Sequence, residues 1–171
     1  FNLDHLGKSA AQFDETKLRW VNAQHLKAMP DDELASLVAQ QLKKRGIIAD
    51  ERLVAICALF KDRCDTTVVL ANWVAKFYGD IQIKTEDLAQ HLTDAVKPAM
   101  QTLVDKLSQS DWNKATIALV IKEVLSTHAL KMPQLAMPAR VLLMGTPQTP
   151  SLDVVISLFS KDEALKRLKS A

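Results

Sequence analysis

The chain has 171 residues, 48% of them hydrophobic and 25% charged, with a formal net charge of +2. This length allows one sizeable core or two small ones, and no apolar run approaches the roughly 20 residues of a membrane-spanning helix. So small a net charge restricts any nucleic-acid-binding surface to a local patch. Four glycines and few aromatic residues favour helices.

Apolar residues at helical spacing predict four helices in the first half of the chain. The first runs from Asp14 to Lys27, and the second follows Pro30 with an acidic first turn and stops at Gly46. Two more are expected over about residues 50–62 and 66–78. Residues 79–84 break the pattern, and we place a subdomain boundary there.

The second half continues with short and long helices. We expect helices over about 85–92 and 94–107, then one that begins at Asp111 or Asn113 and ends near Ala129. Two prolines make residues 131–138 a predicted connector, with a helix resuming at Pro138. Two last helices are predicted after Thr149 and Ser160. The fold class is therefore all-α, with two consecutive helical subdomains.

One arginine lies inside an apolar run near the end of the chain. Arg140 stands in MPARVLLMG at residues 137–145, and TPSLDV follows at residues 149–154. An unpaired buried guanidinium is costly, so we expect Arg140 at an edge where a planar polar group meets it. Thr149 is predicted to cap a helix whose first residue is Pro150. The alternative is an arginine that reaches solvent from a core helix, beside a plain cap.

These segments resemble a known family in two separated places. The end of the chain is similar to the Pro-Leu-Arg-Val-Ala-Leu-Thr-Gly stretch, Ser/Thr-Pro turn and Gly-Lys-Glu-x-x-Leu-x-Arg-Leu helix of bacterial-type glutamyl-tRNA synthetases. Its terminal helix reads SKDEALKRL at residues 160–168. Near the start, LGKS at residues 6–9 and FDETKLRWVN at residues 13–22 resemble the segment where that family leaves its catalytic half.

The resemblance implies that the chain has three regions, and it indicates which residues read the anticodon. Residues 1–27 would be the tail of the stem-contact region, and residues 28–84 and 85–171 two helical anticodon-binding subdomains. Matching the family motif places Arg140 on the first anticodon base, and Thr149, Pro150 and Leu152 around the middle base. Arg63 matches the position that senses the third base, which separates glutamate from glutamine tRNAs. Unpaired bases are read in this way through their Watson–Crick edges.

The resemblance also implies an enzyme of which this chain is only a part. The parent would be a glutamate–tRNA ligase that uses ATP and magnesium, but its His-x-Gly-His and Lys-Met-Ser-Lys-Ser-like elements do not occur here. We therefore expect no catalytic residue, cofactor or metal in this chain. Its expected partners are the anticodon loop of tRNA(Glu) and the catalytic half of the same polypeptide, in a monomer. The chain starts at Phe1 in mid-pattern, as a piece of a longer protein would.

Other residues have structural interpretations. Cys57 and Cys64 lack disulfide or metal spacing and fit a reducing, cytoplasmic environment. We expect Trp20, Trp73 and Trp112 in the core. Eight basic residues could contact phosphates, but we expect most of them to be ordinary solvated side chains. They are Lys43, Lys44, Arg45, Lys61, Lys131, Lys166, Arg167 and Lys169. The alternative function is a helical protein–protein interaction module without RNA binding; an independent helical enzyme lacks a convergent set of titratable residues.

Overall fold

The computed structural model describes residues 14–170, so the LGKS segment at residues 6–9, which resembles the segment where the family leaves its catalytic half, lies outside the described residues. Those residues form ten α-helices and no strand, and the predicted all-α fold is confirmed. The helices are α1 (Glu15–Ala28), α2 (Asp31–Lys43), α3 (Leu53–Phe60), α4 (Thr67–Ala75), α5 (Thr85–His91), α6 (Lys97–Gln109), α7 (Lys114–Thr127), α8 (Met132–Met144), α9 (Leu152–Leu158) and α10 (Lys161–Leu168). A short 3-10 turn over Lys61–Arg63 follows α3.

Helix starts with polar side chains were predicted well. The side chains of Asp14, Asn113 and Ser160 each accept a hydrogen bond from the backbone N–H three residues on, at 3.1, 2.9 and 3.4 Å. Each of these bonds satisfies a backbone donor that has no partner within its helix. Gly46 ends the segment after α2 with a φ of +74°, a conformation that glycine adopts without steric cost.

The first helical group packs α2 against α3 and α4. Phe60 lies at its centre, fully buried, with the Trp73 ring stacked 5.1 Å away and the Phe77 ring edge-on at 5.8 Å. These aromatic contacts close the end of α3 onto α4. Trp73 therefore packs against the core, as predicted.

The second group contains α6 to α10, with α5 packed on α8. Phe159, at the end of α9, stacks on Phe77 of the first group with ring centroids 4.5 Å apart. Buried residues of both groups consequently form one continuous cluster. Residues 79–84 between them contain no helix, and the three-part division at 27 and 84 stays a prediction.

Helix α1 lies apart from this core. Leu26 is its one buried residue, and Trp20 is 64% exposed, so the prediction that Trp20 is a core residue is wrong. Helix α1 reaches the first group mainly at the turn after α3. There Arg19 forms an ion pair with Asp65 at 2.9 Å, and the Asn22 amide donates to the Asp65 carbonyl.

The connector predicted over residues 131–138 is also wrong. Helix α8 begins at Met132, carries Pro133 in its first turn and continues through Pro138. A proline inside a helix removes one backbone donor, which costs about 3 kcal/mol. Here burial outweighs that cost, because Pro138 and the residues around it, Leu135, Ala136, Ala139 and Leu142, are all buried.

Candidate functional site

Arg140 lines a cavity of about 340 Å³ between three helices. This volume lies within the range of about 300–1,000 Å³ that is usual for small-molecule sites. The wall contains Ala118, Ile121 and Lys122 from α7, Met132 and Arg140 from α8, and Ser151, Leu152 and Asp153 from the start of α9. The walls are thus mostly apolar, with charged side chains at a few points.

The guanidinium of Arg140 lacks a complete set of internal partners. Its Nε atom is buried and has no hydrogen-bond partner among residues 14–170. None of the ion pairs formed within that range includes Arg140. A buried donor without an acceptor costs free energy, so this arrangement favours a ligand that supplies one.

Arg63 lies close enough to influence Arg140 electrostatically. Burial lowers the pKa of Arg140, and the positive charge of Arg63 lowers it further. Arg63 ends the 3-10 turn after α3, and its side chain is exposed. It forms no ion pair with any of the described residues. The fold therefore brings two sequence-distant arginines near each other, and their mutual repulsion favours a negatively charged or acceptor-rich ligand.

The turn before α9 differs from the prediction. Thr149 does not cap a helix that starts at Pro150, because α9 begins at Leu152 and Ser151 stands at the N-cap position. Thr149 is buried, and its hydroxyl donates to the Pro150 carbonyl at 3.0 Å. The hydroxyl is thus used within the turn itself, and Pro150 is buried beside it.

Of the five predicted site residues, Arg140 and Leu152 line the cavity, and Arg63 lies near Arg140. Lys122 and Asp153 were not predicted, and they bring opposite charges to the same cavity. Within the described part of the chain, neither takes part in an ion pair. No local signal identifies them, since α7 meets α9 only after the chain has folded.

The prediction that Arg167 is a solvated residue is wrong. Its side chain is only 8% exposed and forms an ion pair with Glu163 at 2.7 Å. Its position in the last turn of α10 predicts an exposed cation near the negative end of a helix. Contacts with other helices, which sequence spacing does not reveal, bury it instead.

The thiols of Cys57 and Cys64 are buried and unpaired. Burial raises their pKa values to about 12 and about 11. Both therefore remain protonated near neutral pH, which makes them poor nucleophiles and poor metal ligands. Residues 14–170 hold no group of His, Cys, Asp and Glu side chains arranged for a metal ion, and no helix there is long and apolar enough to span a membrane.

Comparison with known sequences shows the family to which this chain belongs. The chain belongs to the family of anticodon binding domains, whose profile matches residues 33–171. Within that family it is similar to glutamate–tRNA ligases. The ligase of Albidiferax ferrireducens is 64% identical over 170 residues, and that of Paracidovorax citrulli is 58% identical over 175 residues.

These matches cover nearly the whole chain but only part of each relative. The matched region is 99% of this chain and 37% of the Albidiferax protein, and 100% and 37% for the Paracidovorax protein. The chain therefore spans little more than a third of the length of these ligases. The resemblance to glutamyl-tRNA synthetases is confirmed, and the matches do not favour an unrelated protein–protein interaction module.

Solved structures show the same fold. A glutamate tRNA ligase from Elizabethkingia meningosepticum, in complex with its amino acid, matches with a TM-score of 0.87 at 22% identity. The match covers 99% of this chain and 34% of that one. A glutamate-tRNA synthetase from Elizabethkingia anophelis gives a TM-score of 0.82 at 23% identity, with the same coverage.

Proposed function

We propose that this chain reads the anticodon loop of a glutamate tRNA as the recognition part of a glutamate–tRNA ligase. The longer protein attaches glutamate to tRNA(Glu) in the cytoplasm, with ATP and magnesium used by its catalytic half, and it acts as a monomer. The names of the relatives support the reaction, and membership of the anticodon-binding family supports the task of this part.

The observation that carries the proposal is the unpartnered Nε of Arg140 in a cavity near Arg63. Arginine presents a planar fork that meets two acceptors on one base edge. The apolar wall formed by Met132, Ile121 and Leu152 fits the face of a base, while Lys122 and Asp153 supply a donor and an acceptor. Inside this cavity Arg140 reads the first anticodon base, the base to which the family resemblance matches it.

The other bases are assigned along the same surface. Leu152, Thr149 and Pro150 lie around the middle base, with Leu152 in the cavity wall and the Thr149–Pro150 turn leading into it. Because the Thr149 hydroxyl is bonded within its turn, this turn offers main-chain groups and apolar surface. Arg63, exposed after α3, reads the third base.

A titration with anticodon stem-loops tests this function. Stem-loops that differ at one anticodon position are titrated into the chain and into its Arg140→Ala and Arg63→Ala variants. Arg140→Ala flattens the preference at the first base, and Arg63→Ala flattens it at the third, each by about 1–3 kcal/mol. Arg45→Ala removes an exposed arginine outside the cavity and serves as the control.

Two outcomes contradict the proposal. If both variants kept the base preferences of the unsubstituted chain, the assignment of Arg140 and Arg63 as base readers would be wrong, even if RNA still bound. Affinity that is insensitive to salt would contradict RNA binding itself, since contacts to several phosphates release counterions and weaken steeply with added salt.

A further inference from the structure

Arg167 connects the two helical groups through backbone carbonyls. Its Nη1 donates to the carbonyls of Lys76 and Leu143 at 2.8 and 2.7 Å, and its Nη2 donates to that of Gly79 at 2.7 Å. Its Nε donates to the Glu163 carboxylate at 2.7 Å. All three guanidinium nitrogens are therefore engaged, across three separate segments of the chain.

The acceptors explain why an arginine stands at this position. Lys76 follows the last residue of α4, and Leu143 lies in the last turn of α8, where carbonyls lack partners within the helix and carry partial negative charge. One planar guanidinium satisfies the ends of both helices at once. The ring of Phe159 lies against the Arg167 guanidinium, 4.9 Å from its carbon to the ring centroid.

Two more contacts hold the same junction. The Lys76 ammonium donates in the opposite direction, to the Met144 carbonyl at 2.9 Å. Gly145, with a φ of +70°, ends α8 so close to the Gln82 backbone that an added Cβ would lie 2.6 Å from the Gln82 carbonyl oxygen. The end of α8 is therefore fixed against residues 76–82.

The two candidate base readers lie on or next to the helices that this junction joins. Arg140 stands three residues before Leu143 on α8, less than one helical turn away. Arg63 precedes α4, and the junction begins where α4 ends. We propose that Arg167 is a positioning residue that sets the separation between the guanidinium groups of Arg63 and Arg140, and so the ability to read two bases at once. The part of this inference that concerns bases rests on the function proposed above.

A distance measurement tests the spacing without RNA. Spin labels on Val68→Cys, near Arg63, and Leu119→Cys, on the helix that lines the cavity, occupy side chains that are 49% and 64% exposed. The native thiols are buried and stay unlabelled. We expect the doubly labelled chain that retains Arg167 to give one narrow distance distribution by pulsed electron paramagnetic resonance. Arg167→Met broadens it, and Arg167→Lys, which keeps the charge but not the fork, broadens it less.

Controls separate positioning from stability. Val38→Ala creates a cavity in the α2 core, away from the junction, and lowers stability without broadening the distribution. Gly145→Ala disturbs the junction from its other side and broadens the distribution as Arg167→Met does. Circular dichroism verifies folding, and if Arg167→Met does not fold, Arg167→Lys and Gly145→Ala carry the test.

RNA selectivity provides the second measurement. In Arg167→Met the preference at both the first and the third anticodon base falls about fivefold, the lower end of what a bidentate contact discriminates, while Val38→Ala keeps it. An unchanged distance distribution overturns the proposal, and so does a broadened distribution with selectivity intact. If the unsubstituted chain shows no base preference, the proposed function fails, while the distances still decide whether Arg167 sets the spacing.

Discussion

The cavity around Arg140 and the junction around Arg167 meet on the same helix, yet the two guanidinium groups are bonded in opposite ways. All three nitrogens of the Arg167 guanidinium donate to carbonyl or carboxylate oxygens. The buried Nε of Arg140, less than one turn from the junction, has no partner among residues 14–170. Complete internal bonding identifies a structural arginine, and incomplete bonding beside a cavity identifies one kept for a ligand.

The junction around Arg167 is expected to contribute more to stability than the cavity, the buried thiols or Arg63. Arg167→Met removes the donors from three carbonyls and leaves Glu163 without its partner, so we expect the free energy of unfolding to fall by about 3–5 kcal/mol. Urea denaturation measures this change. Arg19→Met is the matched control, because Arg19 is exposed and solvent screens its ion pairs with Glu15 and Asp65, so we expect a much smaller loss. Equal losses in the two variants would contradict the contrast.

The cavity is expected to respond in the opposite direction. Arg140→Met removes an incompletely bonded charge that lies near Arg63, so the free energy of unfolding rises by about 1 kcal/mol while base preference at the first position is lost. Denaturation and stem-loop titration on the same preparation measure both changes. A loss of stability comparable to that of Arg167→Met would show that Arg140 has a structural role.

Alkaline pH probes buried groups that are stable in their neutral form. Burial raises the pKa values of Cys57 and Cys64 to about 12 and about 11, above the ordinary value of 9.0. The folded state keeps these protons longer than the unfolded state does, so their contribution is complete below pH 9 and is lost as pH rises through about 11 and 12. A Cys57→Ala, Cys64→Ala double variant is expected to show a flatter profile of unfolding free energy between pH 8 and 11. A profile as steep as that of the unsubstituted chain would contradict the assignment to the thiols.

Arg63 is expected to contribute little to the stability of the fold. This side chain is exposed and forms no ion pair with the described residues. Arg63→Ala therefore changes the free energy of unfolding by no more than about 0.5 kcal/mol. Thermal or urea unfolding measures it. A larger loss would place Arg63 with Arg167 among the structural arginines.

Local signals in the sequence predicted most helices. Caps such as Asp14 and Ser160 act through bonds only three residues long, so their pattern is visible in the chain itself. Pro138 was misjudged because burial on both sides of it outweighs a local cost. The exposure of Trp20 was missed for the converse reason, since helical spacing does not reveal whether a partner covers the face.

The candidate site was predictable in part. The position of Arg140 inside an apolar run singled it out from the residues alone. The family resemblance added Arg63, which lies within electrostatic range of Arg140. It identified neither Lys122 nor Asp153, which reach the cavity from helices that pack together only in three dimensions. The burial of Arg167 was likewise hidden, because its acceptors are carbonyls, which every residue carries and no sequence pattern marks.

The three tryptophans give the molecule its own optical probes. The Trp73 ring lies under the Lys76 ammonium at 4.6 Å, and the Trp112 indole donates to the Phe159 carbonyl at 2.8 Å, so both sit beside residues that hold the helical groups together. Trp20, on α1, is largely in water. In a chain carrying Trp20→Phe, tryptophan emission therefore comes only from the two indoles next to the junction, and this emission reports the docking of the two groups without any attached dye.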